Sequence, residues 1–262
     1  MTVRVAACGL SDSGRVRSHN EDSFEIDRDH ELFVVADGMG GHSHGEVASR
    51  MAVEAIQEFV AKAQDETDET WPFPYDPRLQ RHSNVLKAAV NLAHDQVLSA
   101  IRRDGTLYGM GTTVVGCLVR GDTAAVAHVG DSRAYRFHDG ALELLTQDHT
   151  WVNEQVVAGY LSEAQARDHP LKNVVTRALG GDSDVSVDVI EVQLAPGDAL
   201  LLCSDGLTTM LKDREIEALL RKHAQATLNG ACETLVAEAN ARGGHDNVTV
   251  VLLRAEAGGE GG

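Results

Sequence analysis

Four aspartates, each at one end of an apolar segment, are the residues of this chain best suited to chemistry. Asp37 follows the run Leu32–Ala36. The other three are Asp131 and Asp205, which also follow apolar runs, and Asp246, which precedes one. Strands that lie side by side can bring such ends to one rim, where several carboxylates need a cation to stay ionised. Their oxygens suit Mg²⁺ or Mn²⁺, and a pair of such ions hydrolyses phosphate esters. The pattern therefore predicts a metal-dependent hydrolase.

In the segment V-A-D-G-M-G-G-H, glycines leave most of the backbone after Asp37 without side chains. Gly38 and the glycines at positions 40 and 41 permit positive φ angles and the close approach of another group. A carboxylate and bare backbone would then be available to a hard cation. A strand that ends in an ordinary Asp-Gly turn explains the same segment. The metal interpretation of this segment therefore depends on the other aspartates.

A polar segment, residues 11–23, precedes the central apolar run and contains three further charged candidates. Glu21 and Asp22 could add carboxylates to the site, and Arg17 lies four residues before Glu21. A guanidinium beside metal ions is suited to hold a phosphate group through paired hydrogen bonds. An exposed surface arginine is the common alternative, and the spacing alone leaves both interpretations of Arg17 open.

The composition is acidic, since the 262 residues carry a net charge of −17. This charge disfavours nucleic acid as a partner, because phosphate backbones are bound by Lys and Arg. A soluble acidic surface is enough to explain it. No apolar run approaches the length of a bilayer span, and the N-terminal segment lacks a signal-peptide core. We therefore predict a cytoplasmic protein with neither a membrane nor a nucleic-acid partner.

The four cysteines are far apart in the sequence and form no C-x-x-C pair; they are Cys8, Cys117, Cys203 and Cys232. Free cysteine is among the most frequently buried residue types, and it packs as a small apolar side chain. Most of the four lie in apolar surroundings. The pattern predicts buried free thiols in a reducing compartment.

The candidate residues must be positioned by a mixture of strands and helices. Apolar stripes at helical spacing predict helices over residues 45–63 and 83–103. From residue 111 the pattern changes to short strands with hairpin turns at Gly121-Asp122 and Asp139-Gly140. Strands and helices do not alternate regularly, which indicates an α+β fold. No linker divides the chain, so we predict one catalytic domain over residues 1–254 and a disordered tail over residues 255–262.

Eight short motifs, which occur in a fixed order, give the chain a resemblance to a known family. They are S-D-x-G-x-x-R-x-x-N-E-D-S at 11–23, V-A-D-G-M-G-G-H at 35–42, G-T-T at 111–113, H-V-G-D-S-R at 128–133, T-Q-D-H at 146–149, T-R-A-L-G at 176–180, L-C-S-D-G-L at 202–207 and G-G-H-D-N-V-T at 243–249. Each motif alone is weak. Together they make the chain resemble the metal-dependent protein phosphatases (PPM family, type 2C serine/threonine phosphatases), in particular their bacterial branch.

The resemblance implies a β-sandwich of two antiparallel sheets flanked by α-helices on both sides, a four-layer αββα arrangement. It also implies a cleft at one rim that holds two Mn²⁺ or Mg²⁺ ions. Asp37 would bridge both ions, and the carbonyl oxygen of Gly38 would bind one of them. Asp205 and Asp246 would together hold one ion. The resemblance thus assigns a role both to the carboxylate of Asp37 and to the backbone carbonyl group of Gly38.

Three further carboxylates and an arginine receive roles from the same resemblance. Glu21 and Asp22 would lie near the other ion, directly or through water. Asp131 would bind a third, weaker ion shared with Asp205, and Arg17 would bind the substrate phosphate. The residues implied to be catalytic are Arg17, Asp37, Asp205 and Asp246.

The implied reaction is hydrolysis of phosphoserine and phosphothreonine in proteins by a metal-activated water that attacks phosphorus directly. The partners would be phosphorylated proteins, namely a cognate Ser/Thr kinase and its substrates. Met39 stands where eukaryotic members place a histidine, so the general acid is left open between His42, His44 and a water. The alternative is a catalytically weak regulator or scaffold with the same fold, although Asp37 and its partners are all present.

Other hydrolase classes find little support in the sequence. The segment L-C-S-D-G at 202–206 lacks the first glycine of a G-x-S-x-G nucleophile elbow. The chain contains neither the G-x-x-x-x-G-K-[ST] loop of nucleotide hydrolases nor the H-E-x-x-H pair of zinc hydrolases. A cation held by carboxylates therefore remains the best-supported chemistry.

Overall fold

The computed structural model describes residues 3–40, 44–65, 73–181, 184–223 and 227–258. In chain order its strands are β1 (Val3–Asp12), β2 (Asp22–Asp27), β3 (Leu32–Met39), β4 (Gly111–Thr112), β5 (Val114–Arg120), β6 (Thr123–Val129), β7 (Arg133–His138), β8 (Ala141–Leu144), β9 (Asp188–Gln193), β10 (Ala199–Cys203) and β11 (Val248–Ala257). They form two antiparallel sheets, one with the order β1-β11-β10-β7-β8 and the other with the order β2-β3-β5-β6-β9, to which β4 adds at β3.

In chain order the helices are α1 (His44–Asp65), α2 (Arg81–Arg103), α3 (Trp151–Val157), α4 (Glu163–Arg167), α5 (Asp205–Met210), α6 (Asp213–His223) and α7 (Leu228–Ala241), with a short 3-10 helix at Gly105–Leu107. Five helices, α1, α2, α5, α6 and α7, pack on the outer faces of the two sheets. One buried cluster joins α1 and α2 to the second sheet, and another joins α5, α6 and α7 to the first. A third cluster fills the space between the sheets. The predicted α+β, four-layer αββα fold is confirmed.

Strand β3 shows why the central apolar run is continuous rather than alternating. Leu32 and Val34 pack into the cluster beneath the helices, whereas Phe33 and Val35 pack into the cluster between the sheets. Successive side chains of a strand point to opposite faces, so a strand covered on both faces is apolar at every position. The strand that carries Asp37 is therefore held rigidly from both sides.

Two predicted boundaries are corrected by the structure. The central strand was predicted to end before Asp37, but β3 continues to Met39 because β4 pairs with Gly38 and Met39. The predicted tail began at residue 255, but β11 continues to Ala257, where it pairs with Val3 of β1. Residues 259–262 lie outside the described part of the chain.

The cysteine prediction is correct for two residues and wrong for the other two. Cys117 and Cys203 are free and buried, and burial raises the pKa of both thiols to about 12. Cys8 of β1 and Cys232 of α7 form a disulfide across 224 residues of sequence. The prediction failed because β1 comes to lie beneath a helix from the far end of the chain. None of the helices described here is both long enough and apolar enough to cross a membrane.

The disulfide predicts a redox-dependent stability. Reduction should lower the free energy of unfolding by about 2–4 kcal/mol, since a crosslink restricts the unfolded chain. Thermal unfolding with and without reductant measures this change. The double variant C8S/C232S should unfold at one temperature under both conditions. Iodoacetamide should label two thiols, Cys117 and Cys203, in the denatured, unreduced protein; labelling of all four cysteines would contradict the crosslink.

Candidate metal centre

Asp22 and Asp37 stand directly opposite each other on the paired strands β2 and β3. Asp22 is only 8% exposed. Its Oδ2 accepts hydrogen bonds from Ser204 Oγ at 2.8 Å and from Thr249 Oγ1 at 2.6 Å. Its Oδ1 is buried and has no hydrogen-bond partner among the described residues. A buried carboxylate oxygen without a partner is costly, and a bound cation would compensate it.

Asp205 and Asp246 reach the same rim because β10 and β11 are antiparallel neighbours. Asp205 follows β10 as the first residue of α5, with Ser204 at the N-cap, and Asp246 comes just before β11. The two chain segments approach so closely that a Cβ at Gly206 would overlap the carbonyl oxygen of Asn247. Only glycine leaves room for this approach, which brings the two aspartates together.

Asp131 lies in the turn between β6 and β7, next to Gly130 with a φ of 111°. Burial, followed by the negative charge of Asp205, raises the pKa of Asp131 to about 7. The turn therefore faces the same cluster as Asp205. A Cβ at Gly130 would lie 2.5 Å from Cβ of Thr113, so this turn also requires glycine.

The carboxylates raise one another's pKa. The pKa of Asp37 lies well above its usual range, first because of burial and then because of neighbouring charges, of which Asp22 is the largest contributor. Burial raises the pKa of Asp22 to about 7, and burial together with the charge of Asp246 raises that of Asp205 to about 6. These residues offer hard oxygen donors at one rim, and their ionised forms need positive charge beside them. The donor set fits a divalent cation such as Mg²⁺ or Mn²⁺.

Gly38 and Glu21 lie beside this cluster and are joined through their backbones. The N–H group of Gly38 donates to the carbonyl oxygen of Glu21 at 3.1 Å. A Cβ at Gly38 would overlap the carbonyl oxygen of Gly45, so the backbone here is as tightly approached as the sequence suggested. The carboxyl carbon of Glu21 lies 2.9 Å from the position of a Cβ at Gly45, which places the Glu21 side chain against the start of α1.

Asn247 orders the loop that leads to Glu21. Its Oδ1 accepts from the backbone N–H of Glu21 at 2.8 Å, and its Nδ2 donates to the carbonyl oxygens of Ser13 and His19 at 3.1 and 2.9 Å. All three of these hydrogen bonds are directed at one polar loop. That loop contains Arg17, so Asn247 links its position to the strand that follows Asp246.

Arg17 lies at the outer edge of the site. Its Nη2 donates to Asp246 Oδ2 at 2.7 Å, and 52% of its side chain is exposed. The hydrogen bond to Asp246 raises the pKa of Arg17. The guanidinium therefore lies next to the carboxylate cluster and remains accessible to a ligand from solvent. Of the candidate general acids, His44 begins α1 and His42 lies outside the described residues.

Arg133 and Asp148 were not predicted as site residues, although both stand in the quoted motifs. Arg133 donates from Nε and Nη2 to the two oxygens of Asp148 at 2.8 and 2.7 Å. Asp148 contributes to the raised pKa of Asp131 and Asp205. The paired hydrogen bonds therefore neutralise a further carboxylate at the edge of the cluster.

A separate group of possible ligands was also missed. His128, His149 and Asp188 have ligand atoms within 4.8 Å of one another. A cavity of about 590 Å³ adjoins His128 and Asp188, and none of the predicted ligands lines it. His128 and His149 stand in two of the family motifs, but Asp188 lies outside them and the three residues show no ligand spacing in the sequence.

The chain is similar in sequence to known protein phosphatases. Residues 13–255 match the family model described as protein phosphatase 2C. The chain is 38% identical over 250 residues to the serine/threonine phosphatase stp of Listeria monocytogenes, and the match covers 93% of each chain. The family match therefore spans the whole carboxylate cluster, from Glu21 to Asp246.

Solved structures extend the comparison to the fold. The crystal structure of the Mycobacterium tuberculosis serine/threonine phosphatase PstP/Ppp has a TM-score of 0.84 at 33% identity, over 97% of this chain and 100% of that one. The catalytic domain of the phosphatase PstP in complex with 2 manganese ions has a TM-score of 0.81 at 32% identity, over 98% and 100%. Fold, motifs and sequence identity together show that the chain belongs to the protein phosphatase 2C family.

Proposed function

We propose that this metal-dependent serine/threonine phosphatase holds two divalent cations, Mn²⁺ or Mg²⁺, where the two sheets meet, with a third and weaker ion beside them. The observation that carries the proposal is the convergence of partly buried carboxylates with raised pKa, centred on Asp37. The unpartnered Oδ1 of Asp22 supports it. Membership of the family and the similarity to a manganese-containing phosphatase support the same chemistry.

The positions of the side chains support a ligand role for each carboxylate. Asp37 interacts with the charges of the neighbouring aspartates and would contact both core ions, and the carbonyl oxygen of Gly38 would bind one of them. Asp205 and Asp246 would hold one ion, and Asp205 would share the third with Asp131. Glu21 and Asp22 would lie near the other core ion, on the side of the paired strands β2 and β3.

The chemistry supplied by bound divalent cations is a lowered pKa of water and neutralisation of phosphoryl oxygens. The residues of the chain orient the substrate. Arg17 reaches the rim from the polar loop and can donate paired hydrogen bonds to a phosphate group. Asn247 fixes that loop through three hydrogen bonds. These contacts would orient a bound phosphate group at the rim of the cluster.

The substrates we propose are phosphorylated proteins, including a cognate Ser/Thr kinase and its targets, in the cytoplasm. The relatives are named as serine/threonine phosphatases, which supports this substrate class. A role as an inactive regulator or scaffold is not favoured, because Asp37, Asp205 and Asp246 are all present and converge. An inactive relative would be free to lose them.

Turnover of phosphopeptides tests the proposed activity. With Mn²⁺, the protein should hydrolyse phosphoserine and phosphothreonine peptides faster than the phosphotyrosine peptide of the same sequence. Chelation should lower the rate by at least about 100-fold, since bound metal supplies several kcal/mol of transition-state stabilisation. Release of inorganic phosphate is the measurement. A rate that survives complete chelation, or a preference for phosphotyrosine, would contradict the proposal.

Asp205→Asn should lower kcat by at least about 100-fold while the protein stays folded, because an amide cannot replace the charge of a metal-binding carboxylate. Asp37→Asn should have the same effect. The matched control is Asp139→Asn, which changes a hairpin aspartate with a φ of 48°, a conformation that Asn also tolerates. Circular dichroism and phosphatase kinetics on the three variants separate folding from activity. Wild-type turnover by Asp205→Asn would count against the assignment.

The raised pKa of Asp205 predicts how stability without metal depends on pH. Its pKa is about 6 in the folded protein against an ordinary aspartate value of 3.8. The folded state therefore binds the proton more tightly, so stability rises as pH falls through about 6 and stops rising near 4. The variant Asp205→Asn lacks this gain. When a chelator keeps the proteins free of metal, Asp205→Asn should be more stable than wild type by on the order of 2–3 kcal/mol at neutral pH.

Urea unfolding at a series of pH values measures the difference between the two proteins. The advantage of Asp205→Asn should shrink as pH falls from about 8 to about 4.5, because wild type becomes protonated at this residue. Saturating Mn²⁺ should remove the advantage, since it stabilises the folded form that binds it. If the stability difference between the two metal-free proteins does not change with pH, neighbouring groups do not raise the pKa of Asp205.

A further inference from the structure

The turn that carries Asp131 is held by a histidine from outside the carboxylate cluster. The backbone N–H of Gly130 donates to His149 Nδ1 at 3.1 Å, and the carbonyl oxygen of Gly130 accepts from the backbone N–H of His149 at 2.9 Å. Gly130 immediately precedes Asp131. His149 therefore fixes both backbone groups of Gly130. Its side chain accepts from the N–H group, and its backbone N–H donates to the carbonyl oxygen.

This contact determines which nitrogen of His149 carries the proton. Nδ1 accepts a hydrogen bond and must present its lone pair, so a neutral ring carries its hydrogen on Nε2. His149 is 4% exposed, and burial lowers its pKa, which favours the neutral ring. Nε2 faces Asp188 Oδ2 at 3.1 Å. The His128 ring stacks on the His149 ring at 4.7 Å and restricts its plane.

Asp188 also prevents Arg177 from moving the His149 proton from Nε2 to Nδ1. Arg177 Nη1 lies 3.3 Å from His149 Nε2 and 3.6 Å from Asp188 Oδ1. A guanidinium can only donate, so it cannot accept the Nε2 hydrogen. Without the carboxylate, Arg177 would donate to Nε2 and favour a hydrogen on Nδ1. That hydrogen would point at the N–H group of Gly130.

The same hydrogen bonds argue against a cation at His128, His149 and Asp188. A metal bound at His149 Nε2 would require a lone pair there and a hydrogen on Nδ1, which the N–H of Gly130 opposes. The positive charge of Arg177 lies 3.3 Å from the same nitrogen. The group is therefore better explained as an orienting hydrogen-bond chain than as a metal site.

The far side of the turn is connected to the central strand. Ser132 Oγ and Thr113 Oγ1 share a hydrogen bond of 2.7 Å, and the backbone N–H of Thr113 donates to the carbonyl oxygen of Asp37 at 2.9 Å. Gly130 packs against Thr113 as well. The turn thus lies between His149 on one side and the strand of the bridging carboxylate on the other.

We infer that Asp188 and His149 are positioning residues: Asp188 fixes the His149 tautomer, and His149 fixes the turn that presents Asp131 to the weakly bound third ion. This inference rests on the proposed ligand role of Asp131. Carboxylates that orient a histidine are known to change metal affinity by about 10–100-fold without touching the metal. Here the histidine orients a backbone turn instead of the ion itself.

The first test reads the tautomer directly and needs no metal. In the ¹⁵N spectrum of the wild-type protein freed of metal by a chelator, His149 should show a protonated Nε2 and an unprotonated Nδ1. In Asp188→Asn the single carbonyl oxygen cannot serve both His149 and Arg177, so the proton should move towards Nδ1 and Gly130 amide exchange should become faster. A wild-type ring protonated on Nδ1 would overturn the inference.

The second test measures Mn²⁺ binding by calorimetry. Asp188→Asn should weaken the weakest Mn²⁺ site by about tenfold and leave the tighter sites unchanged. In the His149→Ala background, Asp188→Asn should have no further effect, because Asp188 acts through the histidine. Additive losses in the double variant would show that Asp188 acts independently of His149. If His149→Ala does not fold, the tautomer measurement still decides.

Two controls separate this inference from the proposed function. Glu191→Gln changes another carboxylate of β9, which caps α2 by accepting from Gln80 N at 2.7 Å and Ser83 Oγ at 2.5 Å. It should lower stability without changing the His149 tautomer or Mn²⁺ binding. Asp131→Asn should weaken the same Mn²⁺ site as Asp188→Asn. If Asp131→Asn leaves all Mn²⁺ affinities intact while the tautomer is as expected, the ligand role of Asp131 fails and the hydrogen-bond chain stands.

Discussion

Several partly buried carboxylates repel one another at one rim of this structure, and the surrounding contacts hold them together. Asp22, Asp37 and Asp205 are brought together from strands of both sheets, and each has a raised pKa because of burial and its neighbours. Such an arrangement destabilises the folded protein unless positive charge is present. A fold that retains it must gain function from it, and binding of divalent cations is the chemistry that hard oxygen donors at one rim provide.

The architecture explains how the fold keeps these groups in place. Asp22 belongs to the second sheet, yet its Oδ2 accepts hydrogen bonds from Ser204 and Thr249, which come from the first. The carboxylate therefore joins the two sheets at the rim where the cations are proposed to bind. Arg133 with Asp148, and Asn247 with the polar loop, hold the edges of the same region. Rigidity at the site comes from hydrogen bonds between elements that are distant in sequence.

Much of the fold could be predicted because strand and helix periodicities are local, and Asp37 was placed correctly at a central apolar strand. The position of Asp22 was less clear, since a polar loop precedes it and only tertiary packing buries it. The disulfide between Cys8 and Cys232 spans 224 residues, so no spacing rule could pair them. The roles inferred for His149 and Asp188 depend on hydrogen-bond direction, which is a property of three-dimensional contact and leaves no periodic trace in a sequence.

Carboxylates that are distant in sequence are proposed to share a pair of divalent cations. Anomalous X-ray scattering from crystals grown with Mn²⁺ can detect this pair, because the signal locates the ions independently of the protein density. Two peaks about 3.5–4 Å apart are expected, with Asp37 between them and Asp205 and Asp246 beside one of them. Peaks found only beside His128, His149 and Asp188, or an absence of manganese among the aspartates at saturating concentration, would contradict it.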